Sequence, residues 1–304
     1  MSSSRAYKLK RKELLPEGVA RIARGRIDDA IDELSGEAGS SPQEAVHNAR
    51  KDMKKLRALL RLVRGELGDD VYRRENECFR DAAAELSGVR DADVMLATLE
   101  GLELEEAVSG PLRQALEAHR VRTSGGSRGQ AASLVIAILT EARARVDDWP
   151  LEHDDFDALR PGLTRMYKRG RRELRATRRE PSVEGLHEWR KRTKELWYDH
   201  TLLRFVWKPV MDAVGDEAHT LSDLLGDDHD LAVLLAWAQE HTEPKRELVE
   251  AVEARRAALQ QEAVELGARL YADRPKVFVR RLELLWEASR EQAAQSPVKT
   301  SSAS

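Results

Sequence analysis

Apolar residues recur three and four positions apart through most of this chain, the spacing of one face of an α-helix. At about 100° per residue, Ala49, Met53, Leu56, Leu60 and Val63 share one face of a helix. His47, Arg50, Lys51, Lys54 and Arg61 fall roughly opposite, so one side is built to pack and the other carries charge. A second helix places Trp189, Leu196 and Leu203 inward and His187, Arg190, Lys191, Lys194 and Tyr198 on its polar face. A third, beginning near Leu163, aligns Arg165, Lys168, Arg172, Arg175 and Arg179 in a stripe against Met166, Gly170 and Leu174. Gly, Pro and Ser clusters predict interruptions at 36–42, 65–70, 87–90, 109–111, 124–129, 149–153, 180–183, 226–229, 242–244 and 273–275. About four helical segments per half remain, which predicts an all-α protein of two four-helix bundles joined near residue 150. Ser41, Pro42 and Glu44 read as an N-cap, a first-turn proline and the acid of a capping box.

Two motifs occur twice in the same order. His47-Asn48-Ala49-Arg50-Lys51-Asp52-Met53-Lys54 returns as His187-Glu188-Trp189-Arg190-Lys191-Arg192-Thr193-Lys194, 187 − 47 = 140 residues later. Arg90-Asp91-Ala92-Asp93-Val94 is followed by His229-Asp230-Leu231-Ala232-Val233, with Asp91 and Asp230 separated by 230 − 91 = 139. A shared period implies an internal duplication, with repeat 1 over 10–150 and repeat 2 over 151–290. Asp91 and Asp230 come soon after Gly88 and Gly226, which favours helix N-capping after a turn over the orientation of a nearby cation. The Ser-rich stretch 291–304 lacks an apolar face and is expected to be a disordered tail.

Composition supports the helical reading, because 35% of the 304 residues are charged and only 5% aromatic. Net charge is −3, so the total does not call for a polyanion. Its distribution does. Residues 50–64 carry Arg50, Lys51, Lys54, Lys55, Arg57, Arg61 and Arg64 against Asp52 alone, and 165–179 carry eight Lys and Arg, Arg169 among them, against Glu173 alone. Like charges stacked on a helix face destabilise it by a few tenths of a kcal/mol per pair unless an anion answers them. Cys78 is the single cysteine, residues 1–12 lack the apolar core of a secretory signal, and 134–139 is the longest apolar run. The expectation is a soluble cytoplasmic protein without a membrane partner.

The ordered set of motifs resembles the CHAD family, the conserved-histidine α-helical domain. The resemblance rests on His47 to Arg57 followed by Leu86-Ser87-Gly88-Val89-Arg90-Asp91, and on His187 to Tyr198 followed by Leu224-Leu225-Gly226-Asp227-Asp228-His229-Asp230, and spans roughly 10–290 as a single domain. It implies two four-helix bundles related by a pseudo-twofold axis, with a basic cavity or groove between them that binds inorganic polyphosphate. The second half departs from the first where His229 replaces Arg90 and Trp197 replaces Arg57, which puts its contribution in doubt. The N-terminal ExExK strand motif of the triphosphate-tunnel domains often fused to this family is absent from the chain.

Polyphosphate carries about one charge per unit and no bases, so its receptor needs distributed cations rather than stacking platforms. Arg50, Arg61, Arg172 and Arg190 supply forked donors; Lys51, Lys54, Lys168, Lys191 and Lys194 supply compact mobile charges. Arg57, Arg90, Arg165, Arg169 and Arg175 belong to the same basic runs, and His47 and His187 head the two repeated faces as hydrogen-bond donors or as packing residues at a bundle junction. No catalytic residue, metal or cofactor is expected. The alternatives are a nucleic-acid or general polyanion binder, a metal-dependent phosphohydrolase suggested by 153–155 and 227–230, and a helical structural adaptor. Targeting to polyphosphate granules is a cellular role such binding would allow.

Overall fold

The computed structural model describes residues 5–86, 91–123 and 128–295. Among them are eleven α-helices and no strand. α1 (Leu15–Ser35), α2 (Pro42–Leu62) and α3 (Arg64–Glu85) follow one another, then α4 (Asp91–Glu100), α5 (Glu106–Thr123) and α6 (Arg128–Arg145). After two short 3-10 turns come α7 (Arg160–Arg179), α8 (Val183–Leu202), α9 (Lys208–His241), α10 (Arg246–Leu270) and α11 (Pro275–Gln295). Among the described residues no helix is long and apolar enough to cross a membrane.

The predicted signals at the start of α2 are realised. Ser41 Oγ accepts from Glu44 N at 3.4 Å and Glu44 Oε2 accepts from Ser41 N at 3.0 Å, which satisfies two donors that the first turn leaves without intrahelical partners. The apolar face follows: Ala49, Met53, Leu56, Leu60 and Val63 are all fully buried. The interruption expected at 65–70 is a kink inside α3 at Gly68, whose φ of 71° lies in the left-handed region.

Two expected interruptions are not there. α5 runs through 109–111 although Pro111 has no N–H for the carbonyl of Ala107. That carbonyl instead accepts from Lys245 Nζ at 2.5 Å, a bond from just before α10. α9 is likewise continuous through 226–229, which places Asp230 inside the helix and removes it as an N-cap. Gly226 serves close packing there, because a Cβ would lie 2.6 Å from Arg190 Nη2 on α8. Asp91 opens α4, but its side chain lies outside the described residues, as do 87–90 and hence Arg90. Of the stretch 291–304 expected to be a tail, 291–295 belong to α11, which continues to Gln295, and 296–304 lie outside the described residues.

The packing crosses the sequence midpoint. α1, α2, α3 and α6 pack together, α7 meets α8, α10 and α11, and α9 packs on α8 and α10; one apolar core runs through both groups. α4 and α5 belong to neither group: they pack on each other and on α9 and α10 of the second half. Met95, Leu96, Leu99, Leu112 and Leu116 there form a second core with Leu231, Leu234, Leu248, Val252 and Leu259. The halves are therefore tied by a pair of helices lent from the first to the second. They also meet directly, α2 against α7 and α8, and α3 against α7. At Gly162 a Cβ would collide with the Leu62 carbonyl oxygen, so the absent side chain sets how closely α7 approaches the end of α2.

Candidate polyanion-binding groove

Because α2 and α8 bury their apolar faces and touch along their flanks, their charged faces open onto a common space. It is a cavity of about 530 Å³ lined from α2 by Arg50, Lys54, Arg57 and Arg61, from α3 by Arg80, and from α8 by His187, Glu188, Arg190, Lys191, Arg192, Lys194, Glu195 and Tyr198. Nine Lys and Arg side chains thus face two carboxylates, a balance suited to a polyanion and to few other ligands. Tyr198, placed on the polar face by periodicity, is 4% exposed and presents no stacking surface.

The cations are not all unanswered, which corrects the expectation that their usual partners are missing. Glu195 joins the helices from below: Arg61 of α2 lies 3.0 Å from Oε1 and Arg192 lies 2.8 Å from the same oxygen. Removing one member of such a buried set leaves an uncompensated charge, at a cost of about 3–5 kcal/mol. Arg57 Nε donates to Asn76 Oδ1 at 3.1 Å, Lys191 Nζ lies 2.6 Å from Glu188, and Arg172 lies 2.5 Å from Glu173. Arg80, Arg192 and Glu195 were missed in the sequence. Arg80 stands in a mixed-charge helix with no distinguishing pattern, and the Arg192–Glu195 spacing reads as an ordinary i,i+3 surface pair.

Burial first, and like-charge neighbours second, shift the cavity's basic groups. Burial, reinforced by Arg190 and Lys54, pushes the Lys194 ammonium down to about 7 against the opposing pull of Asp223 and Asp230. Burial first, then Arg61, brings Arg57 down to about 10. His187 packs against His229 of α9 with ring centroids 4.5 Å apart and planes tilted by 34°; burial, then Lys191 and His229, lowers it to about 4, so the ring is neutral at pH 7 without ligand. The Nδ1 atoms of both rings are buried without a hydrogen-bond partner.

A second basin lies along α7. Arg165, Lys168, Arg169, Arg171, Arg172 and Arg175 line about 560 Å³, closed on one side by Pro275. Gly170 on the opposite face lets α7 sit against Tyr271, where a Cβ would approach the ring to 2.5 Å, and Tyr271's carbonyl holds Arg171 Nε at 3.2 Å. Of the predicted site residues, eight reach the central cavity and five the second basin. His47 and Lys51 are on α2 but, among the described residues, line neither.

In the two segments that resembled metal ligands, His153, Asp154 and Asp228 are held by protein partners. His153 Nδ1 lies 2.8 Å from Glu66, and Asp154 accepts from Leu15 N at 2.6 Å and Arg290 Nη2 at 2.5 Å. Buried Asp228 accepts from Gln260 at 2.7 Å and Arg256 at 3.1 Å.

Fold and groove define an all-helical protein with a basic cavity between packed helical units. The CHAD domain family model matches residues 21–239, more than half of the chain, and the protein belongs to the CHAD family. Among solved structures, it is similar to the crystal structure of the CHAD domain from the plant Ricinus communis, at a TM-score of 0.65 and 18% identity over 89% of this chain and 96% of that one. A comparison with curated proteins found no match.

Proposed function

We propose that the protein binds inorganic polyphosphate, without chemical turnover, in the groove between α2 and α8. The observation that carries this reading is the convergence of the two repeated basic faces, residues of 50–61 and 187–194, on one cavity that has, among the described residues, nine cations, two carboxylates and no exposed aromatic platform. A flexible chain of phosphates can follow such a surface unit by unit, while a nucleic acid would forfeit base stacking and hydrogen-bond readout there. Forked arginines fix individual phosphate oxygens and the lysines neutralise the rest.

The testing experiment is a titration with long-chain polyphosphate at near-physiological salt, beside RNA of similar total charge and orthophosphate. Binding of polyphosphate well above both competitors, with affinity falling on a log–log salt plot by about 0.7 per phosphate engaged, is the expected result. Equal binding of RNA would make the groove a general polyanion surface, and unchanged polyphosphate on recovery is required of a receptor that does no hydrolysis.

Proton linkage supplies a second check. With Lys194 at about 7 in the free protein, a bound polyanion raises its pKa, and the complex takes up a proton at any pH between the free and bound values. Affinity should therefore fall as pH rises above 7, by up to about tenfold per pH unit for this one proton, and level off just below it. Lys194→Arg, charged throughout, should flatten the profile between pH 7 and 9 in isothermal titration; an unchanged slope would remove Lys194 as its source.

A further inference from the structure

The central cavity and the α7 basin are not separate features of the surface. Between them lies a narrow pass of about 40 Å³ lined by residues of both. Arg61 and Glu195 belong to the cavity and to the pass; Arg165 and Arg169 belong to the pass and to the α7 basin. Resting on the polyphosphate reading above, we infer that the two basins act in series on one chain, so that the protein discriminates polyphosphates by length: short chains occupy the central cavity alone, and chains long enough to cross the pass also engage α7.

The pass gathers more cations than carboxyl groups, and one of the cations, Arg64, is already paired with Asp69 at 2.8 Å. Arg61, Arg64, Arg165 and Arg169 line it against two carboxyl groups, Glu195 and Asp199. Glu195 is already shared by Arg61 and Arg192. Asp199 is buried, and burial followed by the nearby Glu195 holds its carboxyl well above the usual range, against the pull of Arg61. Beyond the pass, Arg165, Lys168, Arg169, Arg172 and Arg175 repeat at i, i+3, i+4, i+7 and i+10, a stripe on the order of 15 Å long at about 1.5 Å per residue. Among the described residues that basin has no acidic lining residue.

The energetic consequence is one of tethering. A chain end that emerges from the pass is held next to α7 at a high effective concentration, so the second set of contacts forms without a second encounter, and gains of roughly 10²–10⁴ over either basin alone are typical of such linkage. Affinity per molecule should therefore rise steeply at the length that first bridges the pass, rather than in proportion to the number of phosphates.

The test compares tripolyphosphate, a short-chain fraction and a long-chain fraction on the wild type and on the triple variant Lys168→Ala, Arg172→Ala, Arg175→Ala. All three residues are exposed on α7, and alanine favours the helix, so circular dichroism should match the wild type. The pass residues Arg165 and Arg169 are left in place. The triple variant should lose roughly tenfold or more of long-chain affinity. Its salt slope for long chains should shrink by about 2, from three lost contacts at about 0.7 each. Short-chain affinity should fall by no more than about threefold, the residue of a screened field. Equal losses for short and long chains, or no loss for either, would overturn the serial arrangement while leaving polyphosphate binding intact. If the wild type bound none of the three ligands, the functional reading would fall and the inference with it.

Discussion

Reversing both charges in Lys54→Glu, Lys194→Glu should lower polyphosphate affinity by roughly 10²–10⁴-fold while leaving the helical content and melting curve close to those of the parent. The two ammonium groups come from different helices and feel each other across the cavity, since Lys54 is among the causes that depress Lys194. Each reversal removes a charge-assisted contact of about 1.5–3 kcal/mol. Two together reach about 3–6 kcal/mol, at about 1.4 kcal/mol per tenfold, before added repulsion is counted. The fold is kept because Lys54 is exposed and Lys194 is only partly buried, and because a carboxylate at 194 would meet Arg190 as well as Asp223 and Asp230. Fluorescence anisotropy with labelled long-chain polyphosphate reads the affinity, and circular dichroism reads the fold. Wild-type affinity in a folded double variant would remove the central cavity as the binding site.

Leu56→Asp should abolish cooperative folding. Leu56 is fully buried on the inward face of α2, in the core that joins the two halves. Loss of its packing costs about 2–5 kcal/mol, and an unpaired carboxylate in that setting costs several more. The total rivals the roughly 5–15 kcal/mol by which a domain is stable. The volume-conserving Leu56→Met should cost under about 1.5 kcal/mol and keep polyphosphate binding. A thermal melt separates the cases: the aspartate variant should show no sigmoidal transition. A melt within a few degrees of wild type would mean that α2 does not pack as described. Lys54 and Leu56 lie on opposite faces of α2, so loss of binding without loss of stability at the first, and loss of stability at the second, test the two faces independently.

How much of this was legible in the chain follows from the range of the interactions. The capping box at Ser41, the kink near 68 and the burial of Met53, Leu56 and Trp189 were readable because each depends on residues within a few turns of one helix. The basic character of the α2, α7 and α8 faces was readable for the same reason. The interruptions assigned to 109–111 and 226–229 failed because Pro and Gly have two local meanings. A missing N–H at Pro111 is tolerated when Lys245 satisfies the freed carbonyl, and Gly226 stays helical where Arg190 needs the space of its side chain. Neither partner is near in sequence.

Sequence alone therefore determined the helical class, which residues face inward and the recurrence of a His-led basic helix. Only the tertiary structure decided that α4 and α5 pack on α9 and α10, that Glu195 ties Arg61 to Arg192, that His187 packs against His229, and that the cations of α2 and α8 share one cavity while those of α7 line another. The reason is physical: periodicity is written by the repeat of a single helix, whereas the meeting of faces depends on close approaches such as Gly162 against Leu62, set by packing between segments a hundred residues apart.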